Sequence, residues 1–325
     1  MHEVHTIPAG YGTRAPTVDD AVDIADLVNE VTLAEAGIPW TTPEETRDEL
    51  TSPRDGTPPP DVLLVDGAEA IAGLLQFAEW GPGEYSVVAF VRPQLWGEGF
   101  SAWLIRHGER QLAERAMTPE RVVVHLPRFA GNDAAERLFR ALGYAYERTF
   151  WMMRIELDDP PTGDGSSTDG IDIRTFVRET DERAVYDAIS EAFKDHWGSW
   201  SETFERWRHN RIDGEGSRFD PGLWFIAVDG DEIVGAACCS ASTPRAEDTG
   251  EVNLLGVRRP WRKRGVGLAL LRAAFAEMRG RGIPRCELGV DAENPTGATR
   301  LYERAGMHVT YSWEVWKKTL GDGAP

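Results

Sequence analysis

The sequence predicts an α/β fold with mixed sheets (α+β in character), and it predicts that fold twice. Three observations lead there. The chain has 325 residues, too many for one ordinary domain and about right for two. A composition of 41% hydrophobic and 27% charged residues can bury real cores and excludes a disordered or fibrous protein. An order of elements also recurs 163 residues on: Val65-Asp66-Gly67 with Ile71 and Gly73 reappears as Val228-Asp229-Gly230 with Val234 and Gly235, two apolar runs joined by an Asp-Gly hairpin turn. Leu138-Phe139 through Gly143-Tyr144 likewise reappears as Leu301-Tyr302 through Gly306-Met307, each a helix closed by a glycine.

Between the copies, LDDPPTGDGSSTDG has the composition of an exposed linker. The expected organisation is therefore one unit over 1–157, a linker over 158–170 and a second unit over 171–325. In the second unit, the patterns predict a strand at Ile171–Phe176, helices at Asp181–Phe193 and Ser201–Arg208, and hairpin strands at Leu223–Val228 and Glu232–Ser240. A strand at Glu251–Val257, a Gly-rich turn and a helix over Val266–Arg279 follow, then a strand at Arg285–Val290, a helix at Thr296–Ala305 and a strand at Thr310–Lys317. The first unit repeats this order, with its turn at Pro93–Ser101 and its long helix over Ala102–Arg115.

Charge narrows the function. Lys and Arg total 35 against 54 Asp and Glu, a net −19, and such a field repels phosphate backbones and anionic lipid, so neither nucleic acid nor membrane is an expected partner. The same field attracts cations, although it also serves solubility. No apolar run is long enough to span a bilayer, and Asp19, Asp20, Asp23 and Asp26 interrupt the region where a secretory signal would need an apolar stretch, so a cytoplasmic protein is expected. Cys238, Cys239 and Cys286 show no metal-ligand spacing, and no metal is expected.

The chemistry is expected at the turn after Val257. It reads Arg258-Arg259-Pro260-Trp261-Arg262-Lys263-Arg264-Gly265-Val266-Gly267 and runs straight into an apolar helix. Glycines there let consecutive N–H groups converge at a helix N-terminus, whose dipole favours phosphate, and Arg262, Lys263 and Arg264 add positive charge. The P-loop pattern is absent, and so is the third glycine of the dinucleotide fingerprint, which disfavours ATP and NAD.

This turn resembles the acyl-CoA pyrophosphate loop, [QR]xxGx[GA], of the GNAT N-acetyltransferases, with Arg262, Gly265 and Gly267 at its defining positions. Downstream, Asn294, Ala298, Leu301-Tyr302 and Gly306-Met307 resemble the family's Asn…Ala…Leu-Tyr…Gly-Phe segment, with Met307 where Phe is usual. The resemblance covers most of Ile171–Lys318, and the duplicated plan is similar to tandem GNAT proteins, which implies two tandem acyl-CoA N-acyltransferase folds. It implies acetyl-CoA as cosubstrate, main-chain groups near Leu255 and Val257 bonding the pantetheine, a loop of Arg262 through Gly267 including Val266 holding the pyrophosphate, and Asn294 reaching the pantetheine or its surroundings. It further implies that Tyr302 protonates the departing CoA thiolate, a general-acid step of a kind worth about 100- to 10,000-fold.

The acceptor poses the opposite proton problem. An alkyl amine with a pKa near 10.4 is about 1 part in 2,500 unprotonated at pH 7, so a base or water chain must take its proton. Glu251 is the candidate base: a regular strand would put Glu251, Asn253, Leu255 and Val257 on one face, though a strand-start carboxylate also suits a solvated edge. His196 and His209 are rivals. Trp197, Trp200, Phe204 and Trp207 recur at helical spacing; in the family this stretch walls the acceptor site, while one aromatic helix face equally fills a core. The expected substrate-side residues are His196, Trp197 and Trp200.

The first unit's turn, Val91-Arg92-Pro93-Gln94-Leu95-Trp96-Gly97-Glu98-Gly99-Phe100-Ser101, aligns from its valine with Trp96 for Arg262, Glu98 for Arg264 and Ser101 for Gly267. A carboxylate about 5 Å from a phosphate charge costs on the order of 3 kcal/mol at an effective dielectric of about 20. A second register, with Gln94, Gly97 and Gly99 as QxxGxG, restores the pattern. Phe139 stands where Tyr302 does and has no hydroxyl to donate. The first unit is therefore expected to be degenerate and the second to transfer acetyl to a primary amine of a small molecule, with the protein a monomer or homodimer. A noncatalytic acyl-CoA sensor and an acetyltransferase acting on a peptide or protein amine are the alternatives.

Overall fold

The computed structural model describes residues 7–51, 61–66, 68, 70–115, 122–158, 170–194, 197, 202–214, 217–243, 246–294 and 296–321. The chain forms two compact units, one of Met1–Thr149 with Trp313–Pro325 and one of Phe150–Ser312. This division differs from the sequence halves at one strand each. Strand β6 (Ala145–Glu156) passes into the second unit at Phe150, and β12 (His308–Leu320) passes into the first at Trp313. Most of the expected linker, 159–169, lies outside the described residues.

In the first unit the sheet order is β1 (Tyr11–Arg14), β2 (Val62–Asp66), β3 (Ile71–Gly81), β4 (Glu84–Val91), β5 (Val122–Phe129) and β12. Only β4 and β5 run parallel. Helix α1 (Ala21–Ala36) presents Ile24, Leu27, Val28 and Val31 at helical spacing and buries them against Leu63, Val65 and Leu74 on one sheet face. It stops at Gly37, whose φ of 72° lets its N–H return to the Leu33 carbonyl. A second helix, α2 (Pro43–Thr51), follows, while α3 (Phe100–Arg115) and α4 (Asp133–Ala141) cover the other face through Trp103, Leu104 and Phe139.

The second unit repeats this plan: β6 (from Phe150), β11 (Arg285–Asp291), β10 (Thr249–Val257), β9 (Glu232–Ser240), β8 (Trp224–Asp229) and β7 (Ile171–Thr175). Its parallel pair is β10 and β11. One face carries α5 (Glu182–Phe193) and the short α6 (Phe204–Arg208); the other carries α7 (Val266–Gly280) and α8 (Ala298–Arg304). Each expected element of this unit is present within a few residues of its predicted bounds. The aromatic stretch follows suit. There α6 covers Phe204–Arg208 of the expected Ser201–Arg208 helix and runs into a π-helical turn at His209–Asp213, and Trp207 is fully buried among Tyr186, Phe204 and Trp224. Trp207 and Phe204 are thus core residues.

Strand β10 also departs from regular alternation. Its register against β9 slips between Val252 and Leu254, which leaves Asn253 as the extra residue of a β-bulge. Before the slip, Gly250 faces Met278 of α7 and Val252 lies in the α7-side core; after it, Leu255 and Val257 pack on that same core, and Leu254 lies on the α5 side. Glu251 therefore points to the α5 face, with Leu254 and Gly256. The expectation that it shares a face with Leu255 and Val257 is corrected by the bulge.

One bracket recurs in both units. Arg14 donates two N–H bonds to Asp20, at 2.8 and 2.6 Å, and the Thr17 N–H adds a third. Arg174 does the same to Asp181 at 2.7 and 2.9 Å, with the Val177 N–H. The Arg14 hydrogen bonds hold the Asp20 carboxyl far below its ordinary range. Burial alone would raise Asp181, but Arg174 and the Val177 N–H outweigh it and lower it too. Carboxyls depressed in the folded state stabilise it above their unfolded pKa of about 4 and lose that contribution as pH falls further. Asp20→Asn and Asp181→Asn should each cost about 1–2 kcal/mol at pH 7, and denaturant melts should show the deficit shrinking between pH 4 and pH 2. A deficit that stays constant down to pH 2 would exclude the ion pairs as its source.

Candidate active site

The turn between β10 and α7 is built to leave donors open. A 3-10 turn at Arg259–Trp261 is followed by two left-handed residues, Lys263 with φ 62° and Gly265 with φ 81°. Glycine adopts that conformation freely, whereas Lys263 holds it at a cost of roughly 1–2 kcal/mol. The first intrahelical bond of α7 runs from the Ala269 N–H to the Gly265 carbonyl, and among the described residues no side chain caps the helix. The N–H groups of Val266, Gly267 and Leu268 thus have no acceptor within the helix. Lys263 and Arg264 are exposed beside them, with Arg264 at 3.8 Å from Asp229.

Arg262 braces this loop. Its Nε donates to the Val257 carbonyl at 3.0 Å and one Nη to the Ala192 carbonyl at the end of α5, also at 3.0 Å. The Trp261 indole fixes the other side through Asp229 at 2.7 Å. Helix α5 comes this close because β10 has glycine at 256, where an added Cβ would lie 2.8 Å from Ile189 and 3.0 Å from Ala192.

The first unit resolves which loop register is the true one. Trp96 donates its indole N–H to the Val91 carbonyl at 2.7 Å, the bond Arg262 makes to Val257. Pro93–Leu95 forms the same 3-10 turn, Gly97 (φ 85°) and Gly99 (φ 91°) are left-handed where Lys263 and Gly265 are, and α3 starts at Phe100 as α7 starts at Val266. The ungapped alignment therefore holds, and the register with Gln94, Gly97 and Gly99 is corrected: Glu98 stands in the place of Arg264 and Ser101 in that of Gly267.

Tyr302 lies on α8 with only 8% of its surface exposed, and its hydroxyl makes no hydrogen bond among the described residues. Burial pushes the phenol up to about 12, so it keeps its proton at neutral pH. Leu301 beside it sets the spacing to the loop, since a Cβ on Gly267 would sit 2.9 Å from the Leu301 side chain. Phe139 occupies the matching place on α4, and the Tyr144 and Met307 N–H groups close the two helices identically, onto the carbonyls of Phe139 and Tyr302. Asn294 accepts from the Thr296 N–H and hydroxyl and so shapes the turn before α8, whereas Asn132 caps α4 directly through the Ala135 N–H.

The parallel pairing of β10 with β11 is three residues long, Thr249↔Arg285, Gly250↔Cys286 and Glu251↔Glu287, after which the strands part. Half-buried Leu255 and Val257 line the parted edge of β10, and Gly289 is exposed on β11. Glu251, half-buried, stands at the fork itself. Trp197 packs on Phe150 of β6 with ring centroids 5.8 Å apart, while His196 and Trp200 lie outside the described residues and His209 is exposed. Glu287, Arg154 and Phe150 are neighbours that sequence reasoning did not single out; a cross-strand register, not a motif, brings them in. Buried Cys238, Cys239 and Cys286 all have thiols raised by burial, which makes them poor nucleophiles. Among the described residues no helix is long and apolar enough to cross a membrane and no side-chain cluster fits a metal ion.

A fork between parallel strands, an uncapped helix start on a basic turn and a protonated buried phenol define an acyl-CoA acyltransferase fold. Residues 183–307 match the acetyltransferase (GNAT) family. A mycothiol acetyltransferase of Streptomyces scabiei is 32% identical over 78% of this chain and 78% of its own length, and one of Geodermatophilus obscurus is 30% identical over 88% and 91%. A GCN5-related N-acetyltransferase structure from Sphaerobacter thermophilus superposes with a TM-score of 0.82 at 35% identity over 98% of both chains. A tandem GNAT protein from the clavulanic acid biosynthesis pathway, 14% identical over 97% of this chain and all of its own, shares the fold with a TM-score of 0.68. The chain belongs to the GNAT family of N-acetyltransferases, whose cosubstrate is acetyl-CoA, and it has the tandem architecture.

A phenol raised by burial stabilises the fold below pH 10 and loses that contribution as pH climbs toward 12. Ultraviolet titration of tyrosinate should therefore lack one late phenol in Tyr302→Phe relative to wild type. A difference spectrum centred at pH 10 would mean that Tyr302 is hydrated like an exposed tyrosine.

Proposed function

We propose that the second unit transfers acetyl from acetyl-CoA directly to a primary amine of a small molecule, and that the first unit is a noncatalytic scaffold. The observation that carries this reading is the buried, proton-bearing Tyr302 one residue from the Leu301 contact that sets it beside the open N–H groups of α7. The pyrophosphate accepts from the N–H groups around Gly265, Val266 and Gly267, with Lys263 and Arg264 supplying charge and Arg262 keeping the loop in form. The pantetheine follows the parted edge of β10 near Leu255 and Val257, with Asn294 shaping the adjacent turn. Glu251, at the fork, takes the ammonium proton, directly or through water. The freed amine attacks the thioester carbonyl, backbone donors of the fork stabilise the oxyanion, and the C–S bond breaks as Tyr302 gives its proton to the CoA sulfur. No covalent enzyme intermediate is needed, in keeping with the buried thiols.

A small-molecule acceptor is supported by the relatives that bear the name mycothiol acetyltransferase. Trp197, packed on Phe150, would wall the acceptor side, together with His196 and Trp200. In this reading the protein works in the cytoplasm as a monomer or homodimer, without a metal. The division of labour between the units is supported by Phe139 in the place of Tyr302 and Glu98 in that of Arg264.

Tyr302→Phe should reduce kcat by about 100- to 10,000-fold with an unchanged melt; near-normal turnover would remove Tyr302 from the mechanism. Phe139→Ala should instead cost about 3–5 kcal/mol of stability and leave the chemistry of the folded fraction alone. Calorimetric titration of acetyl-CoA should find one site in wild type and none in Gly265→Glu, and a site that survives the variant would move cofactor binding to the first unit.

A further inference from the structure

The fork carries a polar row that the fold itself does not require. At the last register of the parallel pair, Ser240, Glu251, Glu287 and Arg154 stand side by side on β9, β10, β11 and β6. All four face away from α7, because Cys239, Val252, Cys286, Leu288, Met153 and Ile155 beside them belong to the α7-side core. Glu287 is only 4% exposed and is ion-paired by Arg154 at 3.2 Å to Oε2. Its Oε1 accepts from no described residue. Glu251 and Glu287 are thus two carboxylates at directly paired positions on neighbouring strands, where like charges repel. The first unit builds the same row from Ala78, Ser86, His125 and Lys317, with no adjacent carboxylate pair. There the buried His125 has Glu84 and Glu147, from outside the row, at 3.3 and 3.1 Å and stacks on Trp80. The carboxylate pair thus belongs to the unit that has Tyr302 and the basic loop, and it sits where the strands part.

We propose that Glu287 is an acceptor-positioning residue: with Glu251 it forms a two-carboxylate seat for the acceptor's ammonium, and Arg154 holds Glu287 in place. The inference rests on the reading of Glu251 as the base and goes beyond it to the substrate class. The acceptor is an aliphatic primary amine, cationic in solution, and aryl amines that are neutral at pH 7 are selected against. The seat brings the ammonium against Glu251, and the base then needs only to draw off one proton at the fork.

The test uses the full chain, acetyl-CoA and a panel of primary alkyl amines, amino sugars and aniline, with the best alkyl amine carried into steady-state kinetics. Wild type should turn over alkyl amines and leave aniline untouched. Glu287→Gln, which keeps the shape and a bond to Arg154, should raise the acceptor KM roughly tenfold or more, leave the acetyl-CoA KM unchanged and hold kcat within about threefold. Glu287→Asp should restore part of the affinity, and it serves as the probe should the glutamine variant fail to fold. An unchanged acceptor KM, a fall in kcat alone or an equal rise in both KM values overturns the proposal, as does wild-type turnover of aniline at the alkyl rate. Full kcat in Glu251→Gln would sink the base reading while leaving the KM effect of Glu287→Gln standing. Absence of turnover with every amine overturns both.

Discussion

Much of the second unit follows from the place where two parallel strands stop pairing. Three residue pairs hold β10 to β11, and beyond Glu251 and Glu287 each strand must satisfy its inner edge otherwise. The bulge at Asn253 lies just past that point and turns Leu255 and Val257 onto the α7 side while the strand still pairs with β9. The Val257 carbonyl is then met by Arg262, which ties the strand end to α5, and Gly256 allows α5 to come near enough for that tie. Removing any of these would close the fork or loosen the loop that follows it.

The duplicated plan separates what the two units share from what is particular to each. Both units have the Arg–Asp bracket, the short parallel pairing, the 3-10 turn and the left-handed loop. They differ in the kind of side chain they place at matching positions: Tyr302 against Phe139, Arg264 against Glu98, Glu251 and Glu287 against Ser86 and His125. Lys263 is informative here. It holds a left-handed backbone that its counterpart Gly97 adopts without strain, as is common where a loop is shaped for a ligand.

Much of this was legible in the sequence, because repeats, Asp-Gly hairpins and glycine-closed helices are local signals. The order of elements, the loop and the contrast between Tyr302 and Phe139 all follow from them. What escaped depends on register. Alternation alone put Glu251 with Leu255, and one bulge, which no residue pattern around Asn253 announces, reversed its face. Glu287 looks like any strand residue until β11 is paired with β10. The helical spacing of Phe204 and Trp207 suited a pocket wall and a core equally, and packing with Tyr186 and Trp224 decides for the core.

The exchange of final strands bears on how such a duplicated chain persists. The residues of β6 that pair with β11 are encoded in the first half of the sequence, and the strand that pairs with β5 is encoded at the far end of the second. A half cut at the linker would expose an unsatisfied sheet edge and keep a strand with no neighbour. Neither half of the gene can then be deleted without stripping a strand from the sheet that the other half encodes.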